Sequence, residues 1–387
     1  MKFAERMDRL GTETAFEVLV RAKALEAQGR DIIHLEIGEP DFDTPANITQ
    51  AAITALQQGE THYTPAAGIP EAREAIAEHI SRSRDIEVGP QNVVLTPGAK
   101  PIMFFAILAL VDNGDEVVYP NPGFPIYESM IQFVGGKAVP LPLRMERDFR
   151  FDHDELRALV NDRTKMIILN SPQNPTGGIL EPEDLHLIAE LAQQHDCIVL
   201  SDEIYERLVY DKPHHSITTI PGMLERTIIL DGYSKTYAMT GWRLGYGVMP
   251  EELAQKMTKL ATNNHSCVAA FEQYAAIEAL RGPQNEVEAM RQEFRARRDL
   301  IVEGLNEIPG FRCVMPGGAF YAFPNIEETG KSSAWLADHL LNEAGVACLK
   351  GEAFGEHGKG FIRFSYANSR ENLSEALRRV RQAIEAL

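Results

Sequence analysis

The chain has few cysteines, too little positive charge and no long apolar run, and each shortage closes off a class of function. Its four cysteines, Cys197, Cys267, Cys313 and Cys348, stand far apart with no CxxC pair. Neither a disulfide scaffold nor a zinc site is written there, and buried thiols in a reducing cytoplasm are the expectation. Lysine and arginine total 38 against 56 aspartates and glutamates, a net charge of -18. Nucleic acid and anionic membranes need a basic face, so both are excluded as partners. The longest apolar run, Pro101 to Val111, is well short of the roughly 20 residues that span a bilayer. The first residues mix both signs of charge around no apolar core and do not read as a secretory signal. There is no Walker A pattern, no GxGxxG, no internal repeat and no Gly/Ser linker. The only adjacent histidines, His214 and His215, lie in a Pro-rich connector and read as surface, so no metal site is expected.

What is present is an ordinary globular balance, 44% apolar and 24% charged, in a chain longer than one typical domain. Short apolar runs alternate with longer amphipathic stretches. Asn92 to Thr96, Glu116 to Tyr119, Met166 to Asn170, Ile198 to Ser201, Thr227 to Leu230 and Gly245 to Val248 read as buried strands, with helical patterns such as Lys100 to Val111 and Glu183 to His195 between them. That alternation predicts an α/β fold with a mostly parallel sheet covered by helices on both faces. From about Asn285 the texture changes. A long charged helix, Glu286 to Glu307, leads into short strands at Phe311 to Met315, Ala319 to Ala322 and Gly360 to Phe364, and a last helix starts at Glu371. This tract reads as a smaller α+β domain.

In the run Gly232-Tyr233-Ser234-Lys235-Thr236-Tyr237-Ala238-Met239-Thr240-Gly241-Trp242-Arg243, a lysine follows the end of a strand and an arginine stands eight places on. Lysine forms Schiff bases and arginine clamps phosphates, so the run suits an aldehyde cofactor that carries a phosphate. The carboxyl ends of parallel strands are where such ligands sit. Asp202 closes another strand, where the commonest use of an acid is a helix N-cap. Thr96-Pro97-Gly98-Ala99-Lys100-Pro101 puts small residues and a proline at a helix start, which exposes free N–H groups to an anion. Asn170 to Gly178 reads as a turn. Arg363 lies among apolar residues in a predicted strand, where a lone arginine serves as an edge gatekeeper.

Taken in order from Gly38 to Arg363, these motifs resemble the class I aminotransferases of the pyridoxal-phosphate fold type I, over almost the whole chain. The resemblance implies pyridoxal 5′-phosphate as cofactor, a homodimer, a large cofactor-binding domain over 44–284, and a small domain built from 1–43 and 285–387. It implies that Lys235 bonds the cofactor and then carries the proton to and from the substrate Cα, with a pKa lowered by desolvation and a nearby cation. Asp202 would keep the pyridine nitrogen protonated and Tyr205 would donate to the ring oxygen, completing the catalytic candidates. Gly98, Ala99, Lys100, Ser234 and Arg243 would hold the phosphate, joined by Tyr63 from the neighbouring subunit. Many relatives carry a serine where this chain has Gly232. Phe124 falls where relatives stack an aromatic ring on the pyridine. Asn174 would donate to the ring oxygen and the substrate carboxylate, Arg363 would fork onto that carboxylate, and the Gly38 backbone would close over it. Asn174-Pro175 and Asn121-Pro122 are candidate cis peptides.

An aminotransferase that passes the amino group of an L-amino acid to a 2-oxo acid in a ping-pong cycle is therefore the leading expectation. The alternative keeps the cofactor and breaks another bond, as in cyclopropane-carboxylate synthases and carbon–sulfur lyases. A regulator reading would need a basic DNA-binding domain ahead of Gly38, where only about 30 residues stand. The segment Thr14 to Val18 is expected to border the substrate side chain. It offers Phe16 and Glu17 but no base before Arg21, which favours neutral or aromatic donors over aspartate.

Overall fold

The computed structural model describes residues 1–387. Its strands are β1 Ile33–His34, β2 Val93–Thr96, β3 Glu116–Asn121, β4 Lys137–Arg144, β5 Arg150–Phe151, β6 Thr164–Asn170, β7 Ile198–Asp202, β8 Thr227–Gly232, β9 Gly245–Val248, β10 Tyr321–Ala322, β11 Val346–Ala347, β12 Leu349–Lys350 and β13 Ile362–Ser365. Eight of them form one sheet in the order β2-β9-β8-β7-β6-β3-β4-β5. The run from β8 to β4 is parallel throughout. Only β9 and the short β5 run against their neighbours.

Side chains of a strand alternate between faces, and here both faces are apolar. Val117, Met166, Ile168, Leu200, Ile228 and Leu230 pack on one side, against the helices Lys100–Leu110, Ile126–Val134 and Glu251–Asn264. Their sequence neighbours Val118, Ile167, Leu169 and Val199 point the other way, under the helix Pro182–Gln194. Ile229 on that second face joins Leu95 and Tyr246 under the helices Pro70–Arg84 and Ala270–Arg281. Being covered twice, these strands show runs of apolar residues rather than alternation, which is why they were legible.

A separate cluster is built around the helices Asn285–Asn306 and Arg370–Glu385. Phe294 stacks on Phe320 at 5.1 Å and meets Phe42 edge-on at 5.4 Å. Ile33 and Leu35 join this cluster, and β1 pairs in parallel with β11. The antiparallel sheet β10-β13-β12 holds Arg363 on its central strand, so the edge-gatekeeper reading of that arginine fails.

Three expectations are corrected. Phe311 to Met315 forms no strand and makes only one bridge, between Arg312 and Asn325, because the Asn306 side chain takes both the N–H and the carbonyl of Cys313. A strand was missed at Lys137–Arg144, where Pro140 and Pro142 argue against one. β3 pairs with it from Lys137 to Pro142 and the two-residue β5 pairs only with Leu143 and Arg144, so most of its far edge asks for no N–H donor. His214 is not surface: its side chain is 9% exposed, with Nε2 at 3.2 Å from the buried Glu203 carboxylate.

Candidate active site

The parallel strands β3, β6, β7 and β8 end side by side at Asn121, Asn170, Asp202 and Gly232. A cavity of about 520 Å³ opens over those ends. Every site residue read from the sequence lines it except Gly98 and Tyr63. Gly98 lies just behind, against Arg243. Tyr63 lies apart, 91% exposed on its own chain.

Lys235 donates from Nζ to the Gly38 carbonyl at 2.6 Å. Burial lowers its pKa to about 8, the pull of Glu39 and Glu13 being offset by the repulsion of Arg363 and Arg243. Glycine at 38 has a steric reason, since a Cβ there would lie 2.0 Å from the Tyr321 hydroxyl. Arg363 is buried, donates to the Glu36 carbonyl at 2.5 Å and to Asn174 Oδ1 at 3.0 Å, and lies between the rings of Tyr321 and Phe354. No carboxylate comes within ion-pair distance of it, and its Nε has no partner. A buried guanidinium held only by neutral acceptors is poised for an anion.

Asp202 is buried at the end of β7. The Tyr127 hydroxyl donates to its Oδ2 at 2.5 Å and the Ile204 N–H to its Oδ1 at 3.3 Å. Burial raises its pKa to about 6 against those two donors. Tyr205 shares a 2.7 Å hydrogen bond with the Tyr321 hydroxyl. Phe124 meets the Tyr127 ring edge-on. Asn174 holds its place through its own N–H, donated to Asn170 Oδ1 at 2.9 Å. Its bond to Pro175 is cis, as are Asn121-Pro122 and the unforeseen Ser171-Pro172.

Two glycines shape the anion end. Gly98 has φ +84°, and a Cβ on it would lie 2.2 Å from an Arg243 guanidinium nitrogen. A Cβ on Gly245 would lie 2.3 Å from the Ala99 amide nitrogen. Side chains are thus cut back where the guanidinium and the start of the helix Lys100–Leu110 approach each other, a cradle of the kind a phosphate takes. Gly232, the departure from the family serine, pairs with Gly245 across β8 and β9, and a Cβ on it would lie 2.9 Å from the Gly245 Cα. Ser234 and Thr240 are the aliphatic hydroxyl residues that line the cavity. Pyridoxal phosphate fits this donor set: a cradle with a guanidinium for the phosphate, a buried carboxylate for a cationic ring nitrogen, and a lysine amine that is partly neutral near pH 8.

Sequence reasoning missed Tyr127, Tyr321 and Glu13. The Lys100 amine does not point at the phosphate cradle but pairs with the Glu13 carboxylate and lies 5.3 Å from the Phe124 ring centre. Glu17 was expected at the substrate side chain and instead faces a smaller crevice with Arg21 and Cys348. Glu13 lines the main cavity, because the helix Thr14–Glu26 starts one residue later and turns Glu17 away.

Comparison with known proteins agrees with this geometry. A family model described as aminotransferase class I and II matches residues 30–380. The chain is 45% identical to an aspartate aminotransferase of Pyrococcus abyssi, over 92% of each protein. It is 40% identical to aromatic-amino-acid aminotransferase 2 of Thermococcus litoralis, over 100% of this chain and 99% of that one. The aspartate aminotransferase from Thermus thermophilus, solved with maleate, superposes with a TM-score of 0.95 at 38% identity, covering 99% of this chain and 100% of that one.

The lowered pKa of Lys235 is measurable without turnover. In cofactor-free protein, trace acetylation by acetic anhydride followed by peptide mapping should give Lys235 a pH midpoint near 8, while exposed lysines follow the usual value of about 10.4. A Lys235 midpoint among those of the exposed lysines would contradict the desolvated site.

Proposed function

The chain belongs to the class I and II aminotransferases, and from that premise we propose that one cavity serves both halves of its exchange, taking a dicarboxylic partner on Lys100 and an uncharged or aromatic partner while Lys100 stays paired with Glu13. The enzyme uses pyridoxal 5′-phosphate to move the amino group of an L-amino acid to a 2-oxo acid in a ping-pong cycle. The lyase reading is not favoured, since the similar proteins are named for amino-group transfer. No helix is long and apolar enough to cross a membrane.

The observation that carries the reading is the meeting of Lys235, Asp202, Arg243 and Arg363 in one cavity at the strand ends. Bound there, the cofactor supplies an electron-accepting ring that stabilises the charge left on the substrate Cα when its proton departs. Arg363, steadied by Asn174, forks onto the substrate α-carboxylate and fixes the Cα–H direction. The Lys235 amine takes that proton as base and returns it as acid, a task its lowered pKa suits. Asp202, aligned by Tyr127, would pair with the cofactor's ring nitrogen and keep it protonated. Tyr205 would donate to the ring oxygen, and Arg243 with the 96–100 turn would hold the phosphate. In this proposal the 44–284 lobe carries the cofactor site, and the lobe made of 1–43 and 285–387 brings Gly38 and Arg363 to it. The four unpaired cysteines suit a cytoplasmic setting.

Two features support the dual substrate range. Lys100 is a cation inside the cavity, and relatives include proteins named for aspartate and for aromatic amino acids. Its amine is already neutralised by Glu13 beside Phe16 and Phe124, so an aspartate side chain must displace an existing pair. That cost favours neutral donors. Glu13→Gln should therefore raise kcat/KM for aspartate about tenfold and Lys100→Met should lower it about tenfold, with phenylalanine changing less than about threefold in both. Unchanged aspartate kinetics in both variants would remove Lys100 from substrate recognition.

The functional unit in this proposal is a homodimer in which Tyr63 reaches the phosphate of the partner's site, a use that suits an aromatic side chain left 91% exposed on its own chain. Mixing Tyr63→Phe and Lys235→Ala parents should change activity through heterodimers that hold one intact and one doubly damaged site. A fully active monomer at assay concentration would refute the trans contact.

A further inference from the structure

Behind Arg363 lies a short chain of titratable groups that the mechanism does not use. Glu36 is 0% exposed, and its Oε2 has no hydrogen-bond partner. Its Oε1 lies 2.7 Å from His34 Nδ1, and His34 Nε2 lies 3.1 Å from Glu26 Oε1. Glu26 is one-third exposed, so the chain runs from solvent into the interior. His34 is the only side chain able to carry positive charge within 4.0 Å of Glu36. The backbone carbonyl of Glu36 is also the acceptor that holds Arg363, and its carboxylate acts electrostatically on that guanidinium.

We infer that His34 and Glu36 are positioning residues for the substrate-carboxylate arginine, and that a proton on His34 keeps the Glu36 charge from opposing the carboxylate that Arg363 must capture. The inference rests on the reading of Arg363 given above. A buried carboxylate cannot hydrate, so its field reaches its surroundings unless a cation answers it. With His34 charged, Glu36 is answered and the Arg363 charge is free for substrate. With His34 neutral, the same carboxylate competes with the incoming one, and binding weakens.

The other groups facing the pair leave His34 as the switching member. They are Glu26 from the helix Thr14–Glu26, Cys348 from the link between β11 and β12, and Arg363 from β13. Cys348 stays a neutral thiol because burial and Glu36 push its pKa far up. Arg363 keeps its charge at any working pH. Burial pulls the His34 pKa down, but Glu36 and Glu26 outweigh it and place it above the ordinary histidine value of 6.5. Carboxylate affinity is thus highest below that pKa and falls as pH rises through it.

The test is competitive inhibition of the cofactor-loaded enzyme by 3-phenylpropionate between pH 6 and 9, a range in which this probe stays ionised. Wild type should show a rise in Ki of at least about threefold as His34 loses its charge. His34→Asn keeps an N–H near the Nδ1 position but cannot titrate. Its Ki should lack this step and stay at the weak level. Glu36→Gln removes the charge and also the main partner that holds the His34 proton, so the step should move to lower pH and Ki should stay near the tight level across this range. A purely structural pair would lower melting temperature without flattening the two profiles at opposite levels. If both variants keep the wild-type profile while Arg363→Gln abolishes inhibition, the inference fails and the reading of Arg363 stands. If Arg363→Gln binds the probe as wild type does, the reading of Arg363 fails first. Either variant alone decides if the other does not fold.

Discussion

Two carbonyl oxygens, on Glu36 and Gly38, hold the two cations on which the site depends, Arg363 at 2.5 Å and Lys235 at 2.6 Å. Carbonyls carry partial charge only. They orient a buried guanidinium and a part-buried amine without neutralising them, which leaves the guanidinium free for an arriving anion and the amine free to give up its proton. The arrangement needs the segment before Asp43 to cross the ends of the large sheet, and that placement needs a glycine at 38 under the Tyr321 hydroxyl.

The contrast with Arg84 shows what this restraint achieves. Arg84 is equally buried, but Glu203 accepts from it at 2.9 Å, and Glu206 and Asp231 stand within 3.6 Å. Its charge is spent inside the fold, tying the helix Pro70–Arg84 to the residues next to Asp202 and Gly232. In a chain of net charge -18, carboxylates are the default neighbours of any cation. A site for a phosphate and a carboxylate arises only where local packing keeps them away. The Lys100–Glu13 pair is the intermediate case, because Lys100 remains partly exposed and Glu13 stands just before the helix Thr14–Glu26.

The strands of the large sheet were legible because burial on two faces turns them into short apolar runs between turns. β4 was not, since its prolines speak against a strand and only its place beside a nearly empty edge permits them. Within the site, the residues found from sequence carry their chemistry in local motifs, such as a lysine after a strand or glycines before a helix. The residues missed act across long separations: Tyr127 reaches Asp202 over 75 positions, Tyr205 meets Tyr321 over 116 and Lys100 meets Glu13 over 87. No local pattern marks a hydroxyl or carboxylate whose partner is supplied by another part of the fold. The glycine at 232 belongs to the same class, being explained only by the strand that lies against it.

The central claim is that the Lys235 amine, desolvated beside two arginines at the end of β8, is the group that bonds the cofactor. Borohydride reduction of the cofactor-loaded protein, followed by proteolysis and mass mapping, tests it most directly. The account predicts the cofactor's mass on the peptide that contains Lys235 and on no other. Finding it on Lys100, the other lysine of the cavity, or on any surface lysine would contradict the account.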